Sequence, residues 1–165
     1  MVTKKNRIDQ HKLKLLFWMV TWLLLARCSS DDEKIDTKYP VIDLTFVEGF
    51  PSQCSVIEKG KLFSFKARFS DNAQLGSFSV DIHHNFDHHT HSTEVNDCDI
   101  DPVKVPVNPF LLIKNFSIPD GQREYEAHLE IEVPENVDAG DYHFLIRLTD
   151  KEGWQSLRGL SIKIK

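Results

Sequence analysis

Five histidines and an aspartate stand within nine positions in the string HHNFDHHTH, residues 83–91, although the whole chain holds only eight histidines. Imidazole nitrogen binds borderline transition ions such as Zn(II), Cu(II) and Ni(II). Residues two apart on an extended chain point the same way, so His89 and His91 can reach one ion, with Asp87 on their side. The Asn85-Phe86 pair suggests a bend, which would fold His83 or His84 back toward His88, His89 and His91. Three or four ligands would then come from one loop. His84 has the parity of a core-facing residue, so a buried, hydrogen-bonded histidine is its competing reading, and Asp87 equally suits a turn cap. For the string as a whole, the competing readings are a pH-responsive patch and a polar loop without a ligand.

Placing these side chains requires the elements around them. From Tyr39 onward the apolar pattern has period two and is punctuated by Gly, Pro, Asn and Asp, which reads as strands and turns rather than helices. Residues 41–46 alternate with Ile42, Leu44 and Phe46 on one side, and 61–71 turn Phe63, Phe65, Ala67 and Phe69 inward. Residues 76–83 turn Phe78, Val80 and Ile82 inward and His83 outward. Further strands are expected at 111–119, 124–134, 141–150 and 153–165, with TDKEGW (149–154) as a hairpin turn between the last two. About seven half-polar strands with short connections argue for an all-β, antiparallel sandwich, because each sheet has one face to bury and one to wet.

The segment VDAGDYHF, 137–144, resembles the tyrosine corner of immunoglobulin-like domains, in which a hydroxyl before the sixth strand caps a backbone turn; here it would be that of Tyr142. In that fold the third and sixth strands pair antiparallel. His83 at the end of one would then lie near His143 at the start of the other, both on the outward face. His128 also faces outward, but on a strand of the opposite sheet. The stretches FPSQCSVIEKG, DNAQLGSFSVDIHHNFDHHTHSTE, PVNPF and GDYHFLIRLTDKEGWQ resemble a family of small Bacteroidota lipoproteins known only as a domain of unknown function. The resemblance covers about Pro40 to Lys165. It implies a surface or periplasmic lipoprotein with an immunoglobulin-like fold and carries no activity.

The N-terminus supports export. Basic residues precede an apolar run of twelve, Leu15 to Ala26, too short to span a bilayer comfortably as a helix, so residues 1–27 read as a signal peptide. LLLARCSSDDE resembles a lipoprotein cleavage and lipidation site with Cys28 as the lipidated residue, although Arg27 stands where that pattern uses Gly, Ala or Ser. The acidic residues after Cys28 look like a surface-export signal. Residues 28–39 read as a flexible tether and 40–165 as one domain. Six of the 20 Lys/Arg and one of the 25 Asp/Glu precede Cys28, leaving 14 basic against 24 acidic groups, a formal balance of −10. Such a charge disfavours nucleic acid as a partner and attracts cations. Of the three cysteines, Cys54 and Cys98 remain after Cys28 is lipidated. In an oxidising envelope they are most simply a disulfide, the alternative being two thiolates on a soft metal.

No His-Glu-x-x-His helix, phosphate loop or serine elbow is present, so the chain is read as not an enzyme, with a small metallohydrolase as the minor alternative. The leading expectation is a cell-envelope, outer-membrane lipoprotein that captures or buffers zinc or copper through His83, His84, Asp87, His88, His89, His91 and His143. Its partners would be the membrane, through the lipid, and an outer-membrane transport protein. The rival is an immunoglobulin-like adhesion or assembly module using the histidines and PVNPF (106–110) as a protein-binding surface, with a structural metal or none.

Overall fold

A computed structural model describes residues 35–89 and 98–165 of the chain. Among these, eight strands form two sheets. They are β1 (Val41–Asp43), β2 (Val56–Ile57), β3 (Leu62–Ser70), β4 (Leu75–His84), β5 (Leu112–Ser117), β6 (Glu124–Glu132), β7 (Gly140–Asp150) and β8 (Gln155–Ile164). One sheet has the order β1-β3-β6 and the other β2-β8-β7-β4-β5. With β3 and β6 in one sheet and β4, β7 and β8 adjacent in the other, the connectivity is that of an immunoglobulin-like sandwich whose fifth strand extends the larger sheet.

The alternation explains the core. Phe65, Ala67 and Phe69 of β3 face Phe78, Val80 and Ile82 of β4 and Tyr142, Phe144, Ile146 and Leu148 of β7, all nearly inaccessible to solvent. Aromatic rings join the layers: Phe65 lies 5.5 Å from Phe144, and Phe69 lies 5.1 Å from Phe78, centroid to centroid. Each buried ring removes on the order of 2 kcal/mol of apolar surface from water, so the two inward faces are the main stabilising element of the domain.

Seven of the eight strands coincide with those expected from period two. The eighth, β2, pairs in parallel with β8, so the sandwich is antiparallel except at this edge. Two residues are too few to show an alternation, and a parallel partner far along the chain leaves no local signal. The first strand is also shorter than expected. Asp43 Oδ1 accepts from the Thr45 amide at 2.8 Å and from its hydroxyl at 2.7 Å, and this turn ends β1. Phe46 therefore does not face the core; its ring lies 4.2 Å beneath the Arg68 guanidinium. Residues 36–39, read from sequence as the end of the tether, pack on the domain: Trp154 Nε1 donates to the Asp36 carbonyl at 2.9 Å, and Tyr39 meets the Trp154 ring at 5.0 Å.

The tyrosine corner is present. Tyr142 Oη donates to the Asp138 carbonyl at 2.7 Å and accepts from the Phe110 amide at 3.1 Å. Asp138 Oδ2 takes the Val107 and Asn108 amides at 2.7 and 2.8 Å, and these bonds hold its carboxyl below the usual range. The phenol thus ties the segment before β5 to the start of β7. Tyr142→Phe should cost about 1–3 kcal/mol, because it strands the buried Phe110 amide; urea unfolding of wild type and variant measures it.

Candidate metal centre

His83 and His143 are directly paired across β4 and β7, and His143 pairs in turn with Ser161 of β8. Their facing follows from the alternation: Ile82 and Phe144 point into the core, so their neighbours emerge on the other face of the sheet. A loop then covers that face. Asn85 donates its amide to the Asp141 carbonyl at 2.8 Å, and His88 donates its amide to the Asn85 carbonyl at 3.3 Å. Phe86 is buried against Tyr142, with ring centroids 5.3 Å apart. This apolar anchor reverses the chain and returns His89 over the sheet.

The result is a three-imidazole cluster. His89 stacks on His83 at 5.5 Å and 11°, and meets His143 edge-on at 4.7 Å; His83 and His143 are 5.3 Å apart. One ring nitrogen of each lies within 4.8 Å of the others. Tetrahedral nitrogens on one zinc ion stand about 3.3 Å apart at bond lengths near 2.0–2.1 Å. Modest side-chain rotation would close the difference.

Hydrogen bonds define the tautomers. The His83 ring meets Asp81 Oδ1 through Nδ1 at 2.8 Å, and the His89 ring meets Asp87 Oδ1 through Nδ1 at 2.6 Å. The bond from His89 holds the Asp87 carboxyl below its usual range. A carboxylate oxygen accepts, so Nδ1 is the donor in both rings, and in the neutral imidazole Nε2 then keeps the lone pair. For His143 the polarity reverses, because Nε2 donates to the His89 carbonyl at 3.0 Å and Nδ1 keeps the lone pair. A carboxylate behind a ligand imidazole orients it and raises its basicity. Asp81, absent from the sequence-derived ligand set, holds His83 by this bond and would have that role if His83 bound an ion. Its signal was visible as the i,i+2 parity of a strand.

The remaining histidines of the string divide. His84 is half-buried, with its ring 5.0 Å from Phe86 and 6.5 Å from His89, outside the cluster. His88 has a left-handed backbone, φ 58°, and its Nε2 donates to the Asp101 carbonyl at 2.9 Å. That bond turns His88 away from its neighbour. Asp87 orients His89 and is not a member of the cluster. His91 and Cys28 lie outside the described residues. His128 is on β6 in the other sheet, paired with Glu130 at 3.0 Å. His143 corrects its expectation in one respect: it emerges on the outward face but is only 1% exposed. The loop covers it, and strand parity carries no information about a loop.

The far side of the loop is also secured. Cys54 and Cys98 form a disulfide with Cα atoms 5.5 Å apart. The Asp101 amide donates to Asp141 Oδ2 at 2.6 Å, and Lys163 Nζ reaches Asp101 at 2.7 Å and Asp141 at 3.3 Å. These contacts lower the Asp101 carboxyl and raise the Lys163 ammonium relative to their ordinary values, chiefly through their mutual hydrogen bond. Lys104 donates its amide to the Phe86 carbonyl at 3.0 Å and places its ammonium 4.2 Å over the Phe86 ring. Cys54, Cys98, Asn85, His88, His89 and Lys163 help to line a cleft of about 390 Å³ beside the cluster. PVNPF is partly structural: Phe110 is buried and its amide is held by Tyr142, while Val107 is exposed.

Fold and cluster together define an immunoglobulin-like β-domain with three candidate metal ligands, two on its five-stranded sheet and one on the loop that returns over it. The chain belongs to the family described as Domain of unknown function (DUF4625), whose model matches residues 26–165. No curated protein matches it. Among solved structures it is similar to a GspB Siglec domain, at 18% identity over 79% of this chain and 59% of that chain, with a TM-score of 0.43. A mutant SrpA adhesin from Streptococcus sanguinis gives 15% identity, 79% and 57% coverage and a TM-score of 0.41. The sporulation control protein Spo0M from Bacillus subtilis gives 11%, 77% and 49%, and 0.39. The chain thus spans less than two thirds of each of these structures.

Proposed function

We propose that this chain binds a transition metal ion, zinc or copper, through His83, His89 and His143, and captures or buffers it at the cell envelope. The observation that carries this reading is the convergence of three imidazoles from β4, the loop and β7, two of them backed by carboxylates. Neutral imidazoles with oriented lone pairs suit Zn(II) and Cu(II) better than hard ions. The chain would be held to the outer membrane by lipid on Cys28 and would pass its ion to, or hold it for, an outer-membrane transport protein. Three protein ligands leave a coordination position for exchange, as capture and release require.

The full chain, solubilised in detergent and stripped with chelator, is titrated with Zn(II) and Cu(II) by calorimetry at neutral pH and near pH 5.5. Binding of one ion tighter than about 10 micromolar is expected at neutral pH. Protons compete for the imidazole nitrogens, so apparent affinity falls as pH falls, by up to about tenfold per unit for each proton displaced. Weaker binding at neutral pH, or affinity unaffected by acid, would sink the reading.

A further inference from the structure

On the opposite end of the β7 strand, a second cluster has different chemistry. Asp36, just before β1, and Asp150 and Glu152, at the β7–β8 turn, each place one carboxylate oxygen within 4.8 Å of the others. Asp36 and Asp150 are 8% and 4% exposed. One oxygen of each is fully used. Asp36 Oδ1 accepts from the Lys38 amide at 3.0 Å and from Asn72 Nδ2 at 2.9 Å. Asp150 Oδ1 accepts from the Gly153 and Trp154 amides, both at 2.7 Å. The second oxygen of each, Oδ2, is buried with no hydrogen-bond partner.

Buried carboxylate oxygens without partners are costly, and two in one cluster repel each other as well. Lys38 acts on Asp36 through its charge as well as its amide, but neither Oδ2 atom has a cation as a hydrogen-bond partner. Lys151 is paired with Asp120, and among the described residues neither Asp36 nor Asp150 is in an ion pair. The bonds from Lys38 and Asn72 hold the Asp36 carboxyl below its usual range, so it is charged. A cation between them would satisfy both Oδ2 atoms at once and offset the negative charge of the cluster.

We propose that Asp36, Asp150 and Glu152 bind a hard divalent cation, calcium in preference to magnesium. All three donors are carboxylate oxygens, which suit hard ions and not the borderline ions of the histidine cluster. Calcium accepts oxygens at 2.3–2.6 Å, so two ligands on opposite sides of one ion stand up to about 5 Å apart, which accommodates the observed spacing. Magnesium demands a near-ideal octahedron at 2.0–2.1 Å and keeps several of its waters, which suits it less to three carboxylates, two of them buried and fixed by other hydrogen bonds. Glu152, exposed at the turn, completes the set from the solvent side, and water fills the remaining positions. The ion would join the chain entering the domain to the last hairpin, reinforcing the contacts of Trp154 with Asp36 and Tyr39.

Trp154 abuts the site and provides the readout. Terbium, a calcium mimic, added to the full chain should show emission sensitised by indole excitation, and calcium should displace it in the range of about 0.1–1 mM expected for a three-carboxylate extracellular site. Asp36→Asn and Asp150→Asn each keep the oxygen that serves the backbone amides, and Glu152→Gln alters an exposed residue, so all three should fold; circular dichroism checks this. Each should weaken calcium displacement at least about fivefold, and Asp36→Asn combined with Glu152→Gln should abolish the terbium signal. The His89→Ala chain should keep it, which separates this site from the imidazole cluster. Emission that about 10 mM calcium does not displace, or that survives unchanged in the combined variant, overturns the proposal.

Discussion

Replacing His89 by alanine is expected to weaken zinc binding at least about a hundredfold, whereas His88→Asn should leave it within about threefold, as measured by competition with a chromophoric chelator. The two residues are adjacent and identical in chemistry, so the contrast isolates geometry. His89 stacks on His83, approaches His143 edge-on and has its Nδ1 proton held by Asp87. His88 points the other way, bonded to the Asp101 carbonyl. Asparagine is chosen at 88 because it tolerates the left-handed backbone there. A protein that bound metal through histidine content alone would lose similar affinity at either position, and equal losses would remove the basis for the three-residue site. Asp81→Asn should give an intermediate loss of about ten- to a hundredfold, because it leaves the His83 ring in place but withdraws the charge that orients it.

Breaking the disulfide is expected to have the largest effect on stability. Cys54 and Cys98 are 44 residues apart in sequence, and closing a loop of that length lowers the entropy of the unfolded chain by the equivalent of about 4 kcal/mol. With a urea m-value of about 2 kcal/mol per molar, Cys54→Ser with Cys98→Ser should move the unfolding midpoint down by about 2 M. The bridge also lies beside the cluster: the Cys54 amide donates to the Ser161 carbonyl at 2.8 Å, and Ser161 pairs with His143. It pins Cys98 nine residues after His89. Zinc affinity should therefore fall about tenfold in the same variant, since more loop entropy is lost on binding. A midpoint shift below about 0.5 M would show that the bridge contributes little to the fold.

Most of the sandwich was legible because period two is a local property: each residue of KLFSFKARFS states its own face through its own side chain. The pairing of His83 with His143 was also legible, since the tyrosine corner identifies the sixth strand and the fold dictates its neighbour. Phe46 was misread because a side-chain turn at Asp43 ends the strand before the alternation does. Strand β2 was missed because its partner is more than a hundred residues away.

By itself, then, the sequence determined the architecture, the disulfide partners and the segment in which imidazoles concentrate, all of which follow from residue type and short-range spacing. The tertiary structure decided which imidazoles meet. Composition treats the five histidines of 83–91 alike, but the burial of Phe86 sets where the loop turns, and that turn sends His89 over the sheet and His88 toward Asp101. It also decided that His143, outward by parity, is covered, and that Asp36 closes on Asp150 across the domain. Each of these contacts depends on packing between distant parts of the chain, which no local pattern encodes.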